Sequence, residues 1–71
     1  MSKKKFNEYV RWQIASAKKD GWNSVPIYSH LVKAHCNITI KKVEEYIMEF
    51  SDQYVVKRVD ANILFYTLEW R

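Results

Sequence analysis

Few residues in this chain have the type and spacing that covalent or metal chemistry needs. His30, His35 and Cys36 come nearest to a ligand set. The two histidines are five positions apart, so on a helix they diverge by about 140° and cannot share one ion. There is no second cysteine to complete a site, so a metal is not expected. Cys36 has a histidine beside it but no identifiable third group to orient that histidine, and a chain of 71 residues is too small to enclose a substrate pocket. Glu44 and Glu45 are adjacent and point apart, and a single glycine rules out a glycine-rich phosphate loop. The expectation is a protein that is not an enzyme, with no cofactor and no small-molecule substrate. What remains is the chemistry of charge, carried by lysines and arginines that could meet an anionic partner.

The most informative of these are Lys41 and Lys42. They sit in the stretch Thr39–Phe50, TIKKVEEYIMEF, which reads as a helix capped by the Thr39 hydroxyl. Ile40, Val43, Tyr46, Ile47 and Phe50 fall on one stripe at helical spacing and must face a core. Lys41, Glu45 and Met48 lie opposite. The charges run against the helix dipole, with two lysines in the first turn and Glu49 near the end. A helix built only for stability would reverse them, so the order points to a use: lysines at the leading end of a helix are placed to reach phosphate. The alternative is a solvated face, with Lys41 and Lys42 pairing with Glu44 or Glu45 for a few tenths of a kcal/mol.

Length and composition set the frame for this helix. The chain is read as a single domain spanning residues 1–71, and its 48% hydrophobic content allows a core. A lone cysteine cannot bridge within the chain, which argues for a reducing, intracellular setting. No apolar run approaches the roughly 18 residues a membrane span needs. Lysines at the N-terminus precede no apolar stretch of the kind a secretory signal has. The net charge of +4 suits nucleic acid, and an acidic protein partner equally.

The remaining elements follow from periodicity and punctuation. Ser2 to Lys19 reads as a first helix, with Phe6, Val10, Gln13 and Ala17 on one stripe and Tyr9 and Ile14 at its edges. Lys18, Lys19 and Gly21 close it, with Trp22 placed to pack back on the preceding turn. Lys3, Lys4 and Lys5 form either a solvated terminus or a basic arm touching phosphates. Val25–Pro26 is extended and suits a short strand. A second helix starts between Pro26 and Ser29 and runs to about His35, with Ile27, Leu31 and Ala34 as its buried side. Cys36-Asn37-Ile38 makes a tight turn in which Asn37 tolerates left-handed backbone. After Ser51-Asp52-Gln53, two β-rich runs, Tyr54–Val59 and Ile63–Leu68, flank Asp60-Ala61-Asn62, a three-residue hairpin loop with Asn62 in the left-handed position. That places Val55, Lys57, Val59, Ile63, Phe65 and Thr67 on one face and Tyr54, Val56, Arg58, Leu64, Tyr66 and Leu68 on the other. Both faces are rich in apolar residues, and the chain has material to cover only one unless Trp12 or Trp70 folds over the other, so that face is expected to meet a second copy or a protein partner.

The order helix, short strand, helix, turn, helix, hairpin resembles the winged helix-turn-helix family of DNA-binding domains over nearly the whole chain. The likeness is carried by SHLVKAHCNITIKKVEEYI (Ser29 to Ile47), with Leu31, Ala34, Ile38, Val43 and Ile47 at core positions, and by YVVKRVDANILFYTL (Tyr54 to Leu68), whose Val55-Val56-Lys57-Arg58 looks like the first wing strand. The resemblance implies an α+β fold with three helices and a C-terminal two-stranded β-hairpin wing. It implies that the Thr39–Phe50 helix enters the major groove of double-stranded DNA. Thr39, Lys41, Lys42 and Glu45 would then lie near base edges or phosphates, with Lys57 and Arg58 at the wing and Ser29 as a phosphate contact at the start of the second helix.

With Lys33 added to the phosphate contacts, the expected protein is a small intracellular regulator of transcription or replication that binds DNA as a homodimer. The rival use of the same fold is a protein-interaction module. It is favoured by three glutamates in the third helix and by a short wing loop that carries Asp60 and no Lys or Arg. Trp12, Tyr54, Tyr66 and Trp70 are the aromatic residues expected at a protein interface. Stacking of aromatics on single-stranded bases is weaker as a reading, because a small domain needs bulky residues to build its core.

Overall fold

The computed structural model describes residues 2–70. Helix α1 spans Ser2–Lys19, as its periodicity predicts. Phe6, Val10, Ile14 and Ala17 form its buried stripe, with Ile14 central and Gln13 only partly covered. Its end is fixed by backbone chemistry. Gly21 takes φ 85°. The Gly21 amide donates to the Lys18 carbonyl at 3.1 Å and the Trp22 amide to that of Ala17 at 2.9 Å, the paired bonds of a Schellman closure. The Trp22 ring remains largely exposed.

Strand β1, Ser24–Tyr28, leads into α2, Ser29–Cys36. Here the structure corrects the expected buried side. Val32, Cys36 and Ser29 face inward, while Leu31 is 48% exposed and Ala34 is also on the surface. The expected phase takes Ile27 as a helix residue. Ile27 is buried, but as a residue of β1, and a strand residue cannot set the phase of the helix that follows. Asn37 ends α2 in left-handed geometry (φ 55°, ψ 49°), with its amide donating to the Lys33 carbonyl at 2.9 Å. Ile38 is buried in the turn. Helix α3, Ile40–Met48, starts at Thr39, whose hydroxyl accepts from the Lys42 amide at 3.2 Å. It tightens into a 3₁₀ turn, Glu49–Asp52, so the expected Phe50 lies beyond the α-helix proper.

Strands β2, Val55–Asp60, and β3, Leu64–Glu69, form the expected hairpin, but Asp60 pairs with Leu64. The loop is therefore Ala61-Asn62-Ile63, one residue later than the sequence indicates. Asn62 is not left-handed; among the described residues only Asn37 and Gly21 have positive φ. Moving the loop by one residue changes each cross-strand partner by two, which leaves the paired side chains of β2 and β3 on their expected faces, while Ile63 passes into the loop beside Ser29 and Ile40. The hairpin is also not a two-stranded unit. Strand β1 pairs antiparallel with β3, giving a three-stranded sheet in the order β1-β3-β2. Val25 and Ile27 of β1 join Tyr66 and Leu68 of β3 on the inner face, against Phe6, Val10, Val43 and Ile47 of the helices. The fold is α+β, three helices on one side of a three-stranded antiparallel sheet.

Candidate nucleic-acid interface

Burying Val43 and Ile47 fixes the rotation of α3 and so decides what it shows to solvent. Successive side chains advance about 100°, so Lys41 and Glu45 stand directly opposite the core, with Lys42 and Met48 on the two shoulders. Thr39 lies exposed at the leading end and serves as cap. Lys41 has no ion pair among the described residues, whereas Lys42 reaches Glu45 at 3.5 Å with both side chains half exposed. A pairing of that kind contributes only a few tenths of a kcal/mol and yields readily to a better anion.

On the Lys42 side of α3 lies a concavity of about 600 Å³, formed where α2 and α3 diverge. It brings Lys33 together with Thr39 and Lys42, and adds His30, Asn37 and Tyr46, which the sequence does not mark as DNA contacts. The Lys42 ammonium lies 6.0 Å from the centre of the Tyr46 ring, and the Lys3 ammonium 5.8 Å from it. Lys3 also pairs with Glu49 at 2.8 Å, and this hydrogen-bonded carboxylate raises its pKa. A lysine from the basic N-terminus thus stands beside α3. The charge run at residues 3–5 was the only signal of it, because the contact depends on how α1 crosses α3.

The other shoulder of α3 faces the hairpin. Glu44 is its hub: its carboxylate accepts from the Tyr66 hydroxyl at 3.3 Å and from Arg58 at 3.4 Å, and Arg58 lies 3.6 Å from Asp60. Arg58, expected at the wing as a phosphate contact, is engaged by two carboxylates. Burial first, and then Glu44, hold the Tyr66 phenol above its ordinary pKa. Tyr66 was expected at a protein interface. It is 1% exposed and belongs to the core, because it occupies the inner position of the central strand. Lys57 projects from the opposite, open face of the sheet and pairs with Glu69 at 3.2 Å. The structure therefore separates Lys57 from the α3 residues.

Ser29 is also placed differently from expectation. It is 1% exposed, and its hydroxyl oxygen is buried with no hydrogen-bond partner among the described residues, beside Ile40, Ile63 and Leu64. A phosphate could not reach it without movement of those side chains. Of the other expected interface aromatics, Trp12 is 63% exposed on the outer side of α1. Tyr54 and Trp70 are partly buried and meet edge to face at 6.1 Å, with Lys18 5.6 Å from the Trp70 ring. His35 packs on Tyr9 with ring centres 5.0 Å apart, and His30 lies on the α3 side of α2. Cys36 is buried, which pushes its thiol pKa up.

Among the described residues no group of His, Cys, Asp and Glu is arranged to hold a metal ion, and no helix is long and apolar enough to cross a membrane. Comparison with protein-family models, with curated proteins and with solved structures finds no match to this chain.

Proposed function

We propose that this protein is a winged helix-turn-helix domain that binds duplex DNA as a small regulator of transcription or replication, with α3 in the major groove and the β2–β3 hairpin as its wing. The element order and the β1-β3-β2 sheet, with α2 and α3 meeting at a tight turn, support the fold reading. The observation that carries the DNA reading is the leading end of α3. There Lys41 and Lys42 stand against the helix dipole, Lys41 has no carboxylate partner among the described residues, and Lys33 of α2 lines one concavity with Lys42. Such an arrangement forgoes some helix stability and gains from a phosphate.

The test is fluorescence anisotropy of a labelled random-sequence duplex titrated at two salt concentrations. Binding is expected to weaken steeply with salt, and the charge-reversed double variant K41E/K42E is expected to abolish it. Undiminished binding by that variant removes α3 from the interface.

The open face of the sheet is where a homodimer contact belongs in this reading. Tyr28, Phe65, Val59 and Val55 lie there, with Val55 more than half exposed. A strictly monomeric species in sedimentation at high protein concentration removes the dimer. The same face, with Met48 and the three glutamates of α3 and its cap, also supports a second reading, a protein-interaction module of the same fold. Partners retained in pull-downs after nuclease treatment, together with no DNA binding at low salt, would select it.

A further inference from the structure

The two flanks of α3 differ in charge, and the difference runs opposite to what a wing that grips phosphate requires. The hairpin has two cations, Lys57 and Arg58, against two acids, Asp60 and Glu69. Both cations are engaged. Lys57 is held by Glu69 on the face turned away from α3, and Arg58 lies between Glu44 and Asp60. The loop Ala61-Asn62-Ile63 contains no ionisable side chain. These half-exposed ion pairs are individually weak, but they leave the α3 side of the hairpin with one cation, Arg58, against two carboxylates, Glu44 and Asp60.

The opposite flank is the α2–α3 concavity. Lys33 and Lys42 line it, no carboxylate does, and His30, Asn37 and Thr39 add polar groups to its wall. Lys33 and Lys42 thus bring two ammonium groups from two helices to one cleft, while Lys3, paired with Glu49 at 2.8 Å, lies on the Tyr46 ring outside its lining. Lys33 makes no ion pair among the described residues, and Lys42 has only its long contact to Glu45.

We infer that the α2–α3 cleft, and not the hairpin, seats the DNA backbone: Lys33 and Lys42 neutralise phosphates of one strand while α3 lies in the groove. The hairpin acts as a brace. Its Arg58 and Tyr66 hydroxyl meet Glu44 and add to the burial of Val43 and Ile47 that sets the rotation of α3, and it makes no phosphate contact of its own. The inference rests on the DNA reading proposed above and assigns the path of the backbone within it.

The experiment measures the slope of log affinity against log salt, from roughly 50 to 200 mM, for a short random-sequence duplex. Four proteins are compared: wild type, K33Q/K42Q, K33R/K42R and K57Q. Each phosphate contact contributes about −0.9 to the slope, so K33Q/K42Q is expected to flatten it by about 1.8. The K33R/K42R variant should retain the wild-type slope, and so should K57Q. These side chains lie on the surface, so each variant is expected to fold, which circular dichroism checks. An unchanged slope in K33Q/K42Q, or a slope flattened by about 0.9 in K57Q, overturns the cleft assignment while leaving DNA binding standing. A wild-type protein with no salt-dependent binding overturns both.

Discussion

Thr39 occupies two roles that a pair of substitutions can separate. Its hydroxyl caps α3 by accepting from the Lys42 amide at 3.2 Å, and the same residue lies at the wall of the cationic cleft. Replacing it by alanine removes the acceptor and leaves a first-turn amide to water. At a cap of this kind the loss is about 1 kcal/mol, which for a domain of this size lowers the midpoint of thermal unfolding by roughly 4–8 °C. Replacing it by aspartate is different. A carboxylate caps at least as well as threonine, and it adds a favourable interaction with the helix dipole of about 0.3–1 kcal/mol. It also faces two first-turn lysines, Lys41 and Lys42.

T39D is therefore expected to melt at or above the wild-type temperature, and T39A clearly below it, in far-UV circular dichroism. DNA binding should order them the other way. T39A stays mostly folded at room temperature and binds nearly as wild type, whereas T39D places an anion among the lysines and weakens binding. If T39D melts as low as T39A, the hydroxyl is not the cap. If T39D binds DNA as tightly as wild type, the leading end of α3 does not lie against phosphate.

Two further outcomes follow from the core and the turns. The Tyr66 phenol is held above its ordinary value of 10.0 mainly by burial, and Cys36 and Tyr9 are raised for the same leading reason. Each group keeps its proton longer in the folded state than in the unfolded one. Their stabilisation is complete below the unfolded pKa values and is lost as pH rises through the folded ones, so the melting temperature should fall once the pH passes 9.0, the ordinary value for the Cys36 thiol, and fall further beyond the tyrosine value. Y66F should show a shallower alkaline fall than wild type; equal steepness in the two refutes the assignment to Tyr66. At Asn37, left-handed backbone is costly for a residue with an ordinary Cβ, so N37A should lose about 1 kcal/mol while N37G loses little or gains. Identical denaturant midpoints for N37A and wild type would remove that strain from the account.

Whatever depended on neighbours in the chain was legible from the residues. The limits of α1 were set by an unbroken apolar stripe and by a glycine at the closing position, both local signals. The Thr39 cap and the left-handed Asn37 were legible for the same reason, each resting on a few bonds within one turn. The faces of β2 and β3 followed from strict alternation, which is why they survived a misplaced loop.

Tertiary structure decided what depended on long-range docking. Strand β1 becomes part of the sheet only by pairing with β3, some forty residues away, and that pairing buries Ile27 and Tyr66 opposite each other. The phase of α2 was settled by which side chains the sheet and α1 could cover, and it turned Leu31 and Ala34 outward. Above all, the sequence shows four cations at Lys41, Lys42, Lys57 and Arg58 but not their partners. Charge acts through space, and only the packing of α3 on the hairpin brings Glu44 to Arg58 and leaves Lys33 and Lys42 facing an open cleft.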